Sequence, residues 1–428
     1  MFSACTKLNL SADQNGVVST NIDVIDVNVT DDEAGNTNST GSTGIAADNG
    51  NSNENSQDNN SADKSGGNVN NDSGGNEPEE NSAGDDKVDV KDRKKIEVKA
   101  LYLTGWTVGH PEKLEHYINL ANSTEINSYV VDIKDDDGYV GYESNVPAVR
   151  EIGAWKKKYD VDKVLKAFHD NNIHVIGRIV CFKDPVLSGK KPELAVKHVN
   201  GGLWKEKNSN GEMISWLNPY EKDSWPYLIE IAREAVEKGF DEIQFDYVRF
   251  PSGDKKVMDF GQNRPEKYKT INEFLRYARN ELPGVVLSAD IFGIVCESPG
   301  DTEDIGQYLE TIGLDIDYIS PMLYPSHYAL GQVVNGIKFP KPDLEPYAVV
   351  YNSLVKAKNR ISQVQGYKAD VRPYIQDFTA SWIGEGNYQV YTAKQVREQI
   401  QAVYDAEYKE WILWDARNKY EEDALLKE

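Results

Sequence analysis

Residues 96–428 predict a (β/α)8 TIM barrel preceded by a disordered polar N-terminal segment, on three observations. Eight short apolar runs alternate with amphipathic stretches of helical spacing. Several runs end in a carboxylate where the strand should stop, and in barrels the C-terminal strand ends carry the chemistry. No Gly-rich phosphate loop follows the first run, where Leu103-Thr104-Gly105-Trp106 lacks the GxGxxG pattern. An open doubly wound sheet is therefore the weaker alternative.

The elements follow in order. Strand 98–106 leads to helix 111–121, which opens on a proline in its first turn. Strand 128–134 precedes helix 161–171, with Val161, Val164, Leu165 and Phe168 on one face. Strand 174–182 runs into a long connection, 184–219, before helix 224–238 groups Leu228, Ile231, Ala232 and Ala235. Strand 242–250 is stopped by Pro251 and followed by helix 266–282. Strand 286–293 and helix 301–312 come next, then strand 318–324, a second long connection at 326–346, and helix 354–364. Strand 371–378, helix 392–408 and strand 410–415 complete the ring. Connections as long as 184–219 and 326–346 usually act as lids or binding loops.

Residues 1–95 have a different composition. No Phe, Trp or Tyr occurs between Ser3 and Leu101, and 31–86 is almost entirely Asn, Asp, Ser, Gly, Glu and Thr. So little apolar surface cannot offset the entropy of folding, which makes this segment a disordered, extended tether. It holds 18 acidic and 7 basic side chains, a net of −11 out of the chain's −23. The barrel is thus net negative as well, which argues against nucleic acid as a partner.

Met1-Phe2-Ser3-Ala4-Cys5 resembles the end of a bacterial lipobox, in which small residues precede a lipid-modified Cys, although the charged and apolar regions that normally come first are absent. A long polar stalk behind such an anchor would carry a domain clear of the membrane. The expectation is a monomer at the bacterial cell surface or outside it, attached through a lipid on Cys5. The alternative is a cytoplasmic protein with a disordered leader. No other run is long enough to span a bilayer.

Cys181 and Cys296 lie in apolar strand or post-strand contexts and read as core thiols, not a disulfide framework or zinc cluster. The six histidines form no HxH or HxxxH pair, so no metal is expected, and nothing predicts an organic cofactor.

Strand parity puts Gln244 with Asp246, Asp132 with Lys134, Ser288 with Asp290, and Ser320 with Tyr324. Barrel interiors are filled by branched apolar side chains, so polar residues at these last inward positions should converge at the mouth. Asp135, Arg178, Arg249, Glu297, His327, Gln376, Asp377 and Asp415 lie nearby in sequence. A single Asp or Arg at a strand end is more often half of a structural ion pair, and 135–138 reads as a solvated turn. Asp246 is the exception, set among Tyr247, Arg249 and Phe250. Glycosidic bond cleavage needs one carboxyl as acid and another as nucleophile or base, and a crowded acidic cleft splits pKa values to supply both. Trp106, Tyr247, Tyr324, Trp382 and Trp414 could stack on sugar rings.

The motifs Leu101-Tyr102-Leu103-Thr104-Gly105-Trp106, Val131-Asp132-Ile133-Lys134-Asp135-Asp136, Phe182-Lys183-Asp184-Pro185, Gln244-Phe245-Asp246-Tyr247-Val248-Arg249-Phe250-Pro251, Ser320-Pro321-Met322-Leu323-Tyr324-Pro325-Ser326-His327-Tyr328 and Pro373-Tyr374-Ile375-Gln376-Asp377-Phe378 carry a resemblance. Together they resemble a bacterial glycoside hydrolase family known as a domain of unknown function, distantly related to the α-amylase superfamily of TIM barrels. The resemblance spans about 98–420 and implies polysaccharide hydrolysis. By analogy with related barrels the nucleophile falls on Asp246, and the proton donor on Asp290 or Glu297. The α-amylase pattern would place Arg and Glu where Gln244 and Asp290 stand, which argues against α-amylase activity itself. A carbohydrate-binding barrel without turnover is the runner-up, and a metal-dependent hydrolase or deacetylase the third reading.

Overall fold

The computed structural model describes residues 96–208 and 211–427, together with the backbone of an antiparallel strand pair, Ala4–Ala12 and Val18–Asp26. The rest of the expected tether, and the Cys5 side chain on which the lipid anchor depends, lie outside the described residues.

Eight parallel strands close into a barrel: β1 Lys99–Leu103, β2 Ser128–Lys134, β3 His174–Val180, β4 Glu242–Asp246, β5 Val286–Phe292, β6 Tyr318–Met322, β7 Tyr374–Gln376 and β8 Trp411–Trp414. Each pairs with the next, and β8 pairs with β1. Every residue of β2 and β4 is buried, as expected of strands covered on both faces. Outside the ring pack the helices Pro111–Ser123, Val161–His169, Trp225–Lys238, Lys267–Glu281, Pro346–Ile361 and Ala393–Asp405. Their starts are written locally: Asp160 accepts from the Lys163 amide, and Thr392 with Gln395 forms a capping box.

Several boundaries differ from expectation for identifiable reasons. The first strand stops at Leu103 because Thr104 caps a helical turn, Gly105–Val108, and this lifts Trp106 out of the strand. The fourth stops at Asp246 because Tyr247 adopts φ 48°, a left-handed conformation costly for a side chain with a Cβ. Pro373, which has no N–H to give a ladder, splits the seventh strand into Asp370–Val371 and Tyr374–Gln376. Only Leu309–Ile312 of the expected helix 301–312 is helical, since the Asp301 carboxylate folds the chain back onto the amides of Ile305 and Gly306. A Cβ on Gly306, φ 87°, would lie 2.6 Å from Ile271, so this loop needs glycine. The helix after the second long connection begins earlier, at Pro346. The 184–219 connection holds its own helix, Pro185–Lys190, and a hairpin of Lys205–Lys207 with Met213–Ser215.

The main core lies between strands and helices. The lumen has only a small apolar cluster, Val98, Ala100, Tyr102, Val130, Ile176, Tyr324, Tyr374, Ile412 and Trp414. Its remaining inward positions are polar and bonded in layers, contrary to the expectation of a branched apolar filling. At the bottom Arg372 holds Glu242 at 2.9 and 3.0 Å and Glu410 at 2.8 Å, over the Tyr318 ring. One layer higher, Tyr374 donates to Gln244 at 2.5 Å and Gln244 to Ser320 at 3.3 Å. The uppermost layer forms the mouth.

Candidate active site

Asp132, Arg178, Asp246 and Asp290 project inward from the ends of β2 to β5 and form the floor of the mouth. Arg178 is the hub, with Nη1 2.6 Å from Asp132 Oδ1 and Nε and Nη2 2.9 and 2.6 Å from Asp246 Oδ2. Tyr102 donates to Asp132 Oδ2 at 2.7 Å. Tyr102 stacks on Trp414, centroids 4.0 Å apart, and the Arg178 guanidinium lies over both rings. Burial works against the Arg178 charge, but Asp246 and Asp132 more than compensate and hold it firmly protonated. Burial pushes the Asp132 carboxyl up, against the pull of Arg178 and Tyr102.

Asp246 is 6% exposed and both its oxygens accept: Oδ2 from Arg178 and Oδ1 from the Tyr247 amide at 2.6 Å. The left-handed turn at Tyr247 makes that last bond, so the local strain aims the carboxylate. Asp290 is the opposite case. It is 2% exposed, its Oδ1 has no partner, and burial followed by repulsion from Asp246 pushes its carboxyl well above the usual range. Asp290 therefore holds a proton more tightly than an ordinary carboxyl, whereas Asp246 receives hydrogen bonds. The two stand one step beyond the last paired residues of β4 and β5, Phe245 and Ala289, on strands about 4.8 Å apart.

Two walls rise from this floor. One is a cleft of ≈ 670 Å³ bounded by Trp106, Asp136, Asp137, Tyr139, Lys156 and Lys183, with Trp106 52% exposed. The other is aromatic: Tyr324 meets His327 and Phe378, and Phe378 stacks on Trp382. Burial pushes the His327 imidazole down to about 4, so it stays neutral. Tyr247 and Arg249 sit beside Trp216 of the 184–219 connection.

Other expected site residues are drawn elsewhere. Lys134 does not face the lumen with Asp132. A bulge at Ile133 turns it outward, fully buried, onto Val180 O at 2.7 Å and Asp184 at 3.0 Å. Asp184 in turn caps helix Pro185–Lys190, so Lys134 braces that loop. Gln376 is fully buried and spent on Ser326, Asp343 and Phe378 O. Asp377 and Asp415 are one residue past the inward positions of β7 and β8. Asp377 accepts from the Glu421 amide and Asp415 pairs with Arg417, which fixes the C-terminal segment. Glu297 accepts from the Asn335 amide beside Lys356 and Arg360, toward the outer helix. Sequence reasoning passed over Tyr102, whose signal was its inward parity with Val98 and Ala100. Among the described residues no three His, Cys, Asp or Glu converge as metal ligands, and Cys181 and Cys296 are buried and unbridged.

A parallel barrel with a carboxylate pair and aromatic walls at its C-terminal mouth has the form of a glycoside-hydrolase-like barrel. The chain belongs to the family described as "Putative glycosyl hydrolase domain", whose model matches residues 100–420. No curated protein matches it. Among solved structures, a hypothetical protein from Ruminiclostridium thermocellum is 75% identical over 44% of this chain and 96% of its own, with a TM-score of 0.42. The PgaB (BpsB) glycoside hydrolase domain from Bordetella bronchiseptica is 12% identical over 75% of this chain and 94% of its own, with a TM-score of 0.55. The second likeness is one of fold.

Proposed function

We propose that the barrel hydrolyses glycosidic bonds of a cell-wall or extracellular polysaccharide, with Asp246 as nucleophile or base and Asp290 as proton donor. The observation that carries this reading is the asymmetry of the pair. One buried carboxyl is held by three donors, and its neighbour has an oxygen without a partner and is pushed well above the ordinary carboxyl range by burial and by the first. Asp290 would protonate the leaving glycosidic oxygen while Asp246 attacks the anomeric carbon or deprotonates water. Carboxyls on neighbouring strands leave little room for a water between them, which favours attack by Asp246 and retention of configuration, the short-separation case at about 5 Å. Glu297, turned toward the outer helix, is the weaker donor. Trp106, 52% exposed, supplies an apolar face for a sugar ring.

The composition of residues 31–86 and the Met1–Cys5 pattern support a lipid-anchored, surface-exposed enzyme on a long stalk. Labelling with a radioactive fatty acid in a bacterial host, compared with Cys5→Ser, tests the anchor.

Reducing-sugar release from a panel of bacterial and plant polysaccharides, run with the parent chain and Asp246→Asn, tests the activity. Release by the parent alone is the expected result. Release unchanged in Asp246→Asn would remove Asp246 from the chemistry. Binding without release by the parent would favour a carbohydrate-binding barrel.

A further inference from the structure

Arg249 is buried to 4% exposure immediately beyond the Asp246 strand end, yet no carboxylate pairs with it among the described residues. Its one hydrogen bond is Nη1 to Phe250 O at 3.0 Å. The guanidinium is caged by rings instead: Phe292 at 4.4 Å, Trp216 at 4.9 Å and Tyr247 at 5.0 Å. Asp246 and Glu206 act on it only through space, and burial lowers its hold on its proton. Among the described residues Nε and Nη2 donate to nothing, and neither is completely sealed from solvent. The Trp216 indole N–H beside it is also buried without an acceptor.

A buried cation without a counter-charge is costly to a fold. The two arginines of the lumen, Arg178 at its mouth and Arg372 at its bottom, each hold two carboxylates. Among the described residues Arg249 therefore keeps the Nε and Nη2 edge of a buried, ring-held fork without a carboxylate, which is the arrangement that grips a carboxylate through two parallel bonds. Contact with three rings holds the guanidinium in place before anything binds.

We infer that Arg249 is the anion-recognising residue of a subsite beside Asp246, and that the substrate is a glycan whose sugars carry a carboxylate. This rests on the hydrolase reading for its placement next to the scissile bond. Two kinds of sugar share the chemistry, a uronate with its carboxylate at C6 and a muramic-type sugar with a lactyl carboxylate. The barrel's overall negative charge does not forbid such a ligand. Exposed charges are screened beyond roughly 8 Å at physiological salt, and the adjoining cleft balances Lys156, Lys183 and Lys190 against Asp136, Asp137 and Glu212.

The test measures binding by the full chain and by its Asp246→Asn form, in which affinity is read without turnover. The probes are polygalacturonate and peptide-free peptidoglycan glycan strands, each beside its carboxyl-reduced counterpart. The expected result is a preference of about ten- to hundredfold for one carboxylated glycan over its reduced form, lost in Arg249→Gln while affinity for the reduced form stays. Whichever arm shows the preference names the source of the carboxylate. If Arg249→Gln fails to fold, Arg249→Lys serves: its charge is kept, its fork is gone, and most of the preference should disappear. Equal affinity of the parent for charged and reduced glycans, no binding to any of the four, or a preference intact in the variants would overturn the inference. Binding with the expected preference but no cleavage by the parent would sink the hydrolase reading alone, and cleavage without charge preference would sink the subsite alone.

Discussion

Arg178 holds Asp246 through a single carboxylate oxygen, with Nε 2.9 Å and Nη2 2.6 Å from Oδ2, and reaches Asp132 with its remaining arm at 2.6 Å. The fork sets the angle of Asp246 and leaves Oδ1 to the Tyr247 amide. A lysine keeps the charge but cannot make this fork. Arg178→Lys should therefore fold and lose roughly a hundredfold in kcat on any substrate the parent cleaves, as expected for a misaimed reacting group. Arg178→Met should instead cost about 3 to 5 kcal/mol of stability, because Asp132 and Asp246 are left buried without a counter-charge. Steady-state kinetics and urea unfolding of the pair separate the two roles, and parental kcat in Arg178→Lys would remove Arg178 from the aiming of Asp246.

Asp290 leads to a pH prediction. Burial first, and the Asp246 charge next, push its carboxyl well above the ordinary range. A proton donor works only while protonated, so turnover is present below the folded-state pKa and lost as pH rises through it. The descending limb should fall above the range of a free carboxyl. Asp290→Asn should abolish turnover of polysaccharide but spare a dinitrophenyl glycoside, whose leaving group needs no proton, and the descending limb should be gone. Equal losses on both substrates would assign Asp290 a role other than proton donation.

The lumen's lowest layer is a stability element. Arg372 is bonded to both Glu242 and Glu410, all three nearly sealed from water, at the end of the barrel opposite the one where such folds carry their chemistry. Arg372→Met should cost about 3 to 5 kcal/mol, since two buried carboxylates lose their cation. Adding Glu242→Gln and Glu410→Gln should return most of that loss. Urea midpoints of the single and triple variants decide this, and an unaltered midpoint in Arg372→Met would show that the network carries no net stability.

How legible the molecule was in its sequence depends on what each residue's position rests on. The barrel was readable because strands covered on both faces are written as apolar runs, and the strand-end carboxylates Asp132, Asp246 and Asp290 followed from simple alternation. Alternation fails where the backbone breaks step. The bulge at Ile133 sends Lys134 to the other face, and nothing in the side-chain pattern announces a bulge. Asp377 and Asp415 were read as mouth residues because they end strands, yet they are one residue past the inward positions. Tyr102 was hidden by the opposite effect, a ring that reads as ordinary strand filling and is in fact the hydrogen-bond donor to Asp132. The unpaired state of Arg249 is a statement about what is missing around it, which no one-dimensional pattern contains.

Asp377 should make the fold alkali-sensitive. Burial, with Asp415 and Glu421 nearby, pushes its carboxyl up to about 8, whereas in an unfolded chain an aspartate titrates near about 3.9. The folded state binds this proton more tightly, so the contribution is complete below the unfolded value and is lost as pH rises through about 8. Each unit of difference is worth about 1.4 kcal/mol, so a loss of several kcal/mol is the upper bound. Asp377→Asn keeps an oxygen to accept the Glu421 amide and cannot ionise. Thermal melts from acid to alkaline pH should show the parent losing stability relative to this variant across that window, with the gap opening as pH rises. Asp290 shifts in the same direction in both proteins and cancels in the comparison. Parallel melting curves for parent and Asp377→Asn would mean that water or a local rearrangement relieves the buried charge.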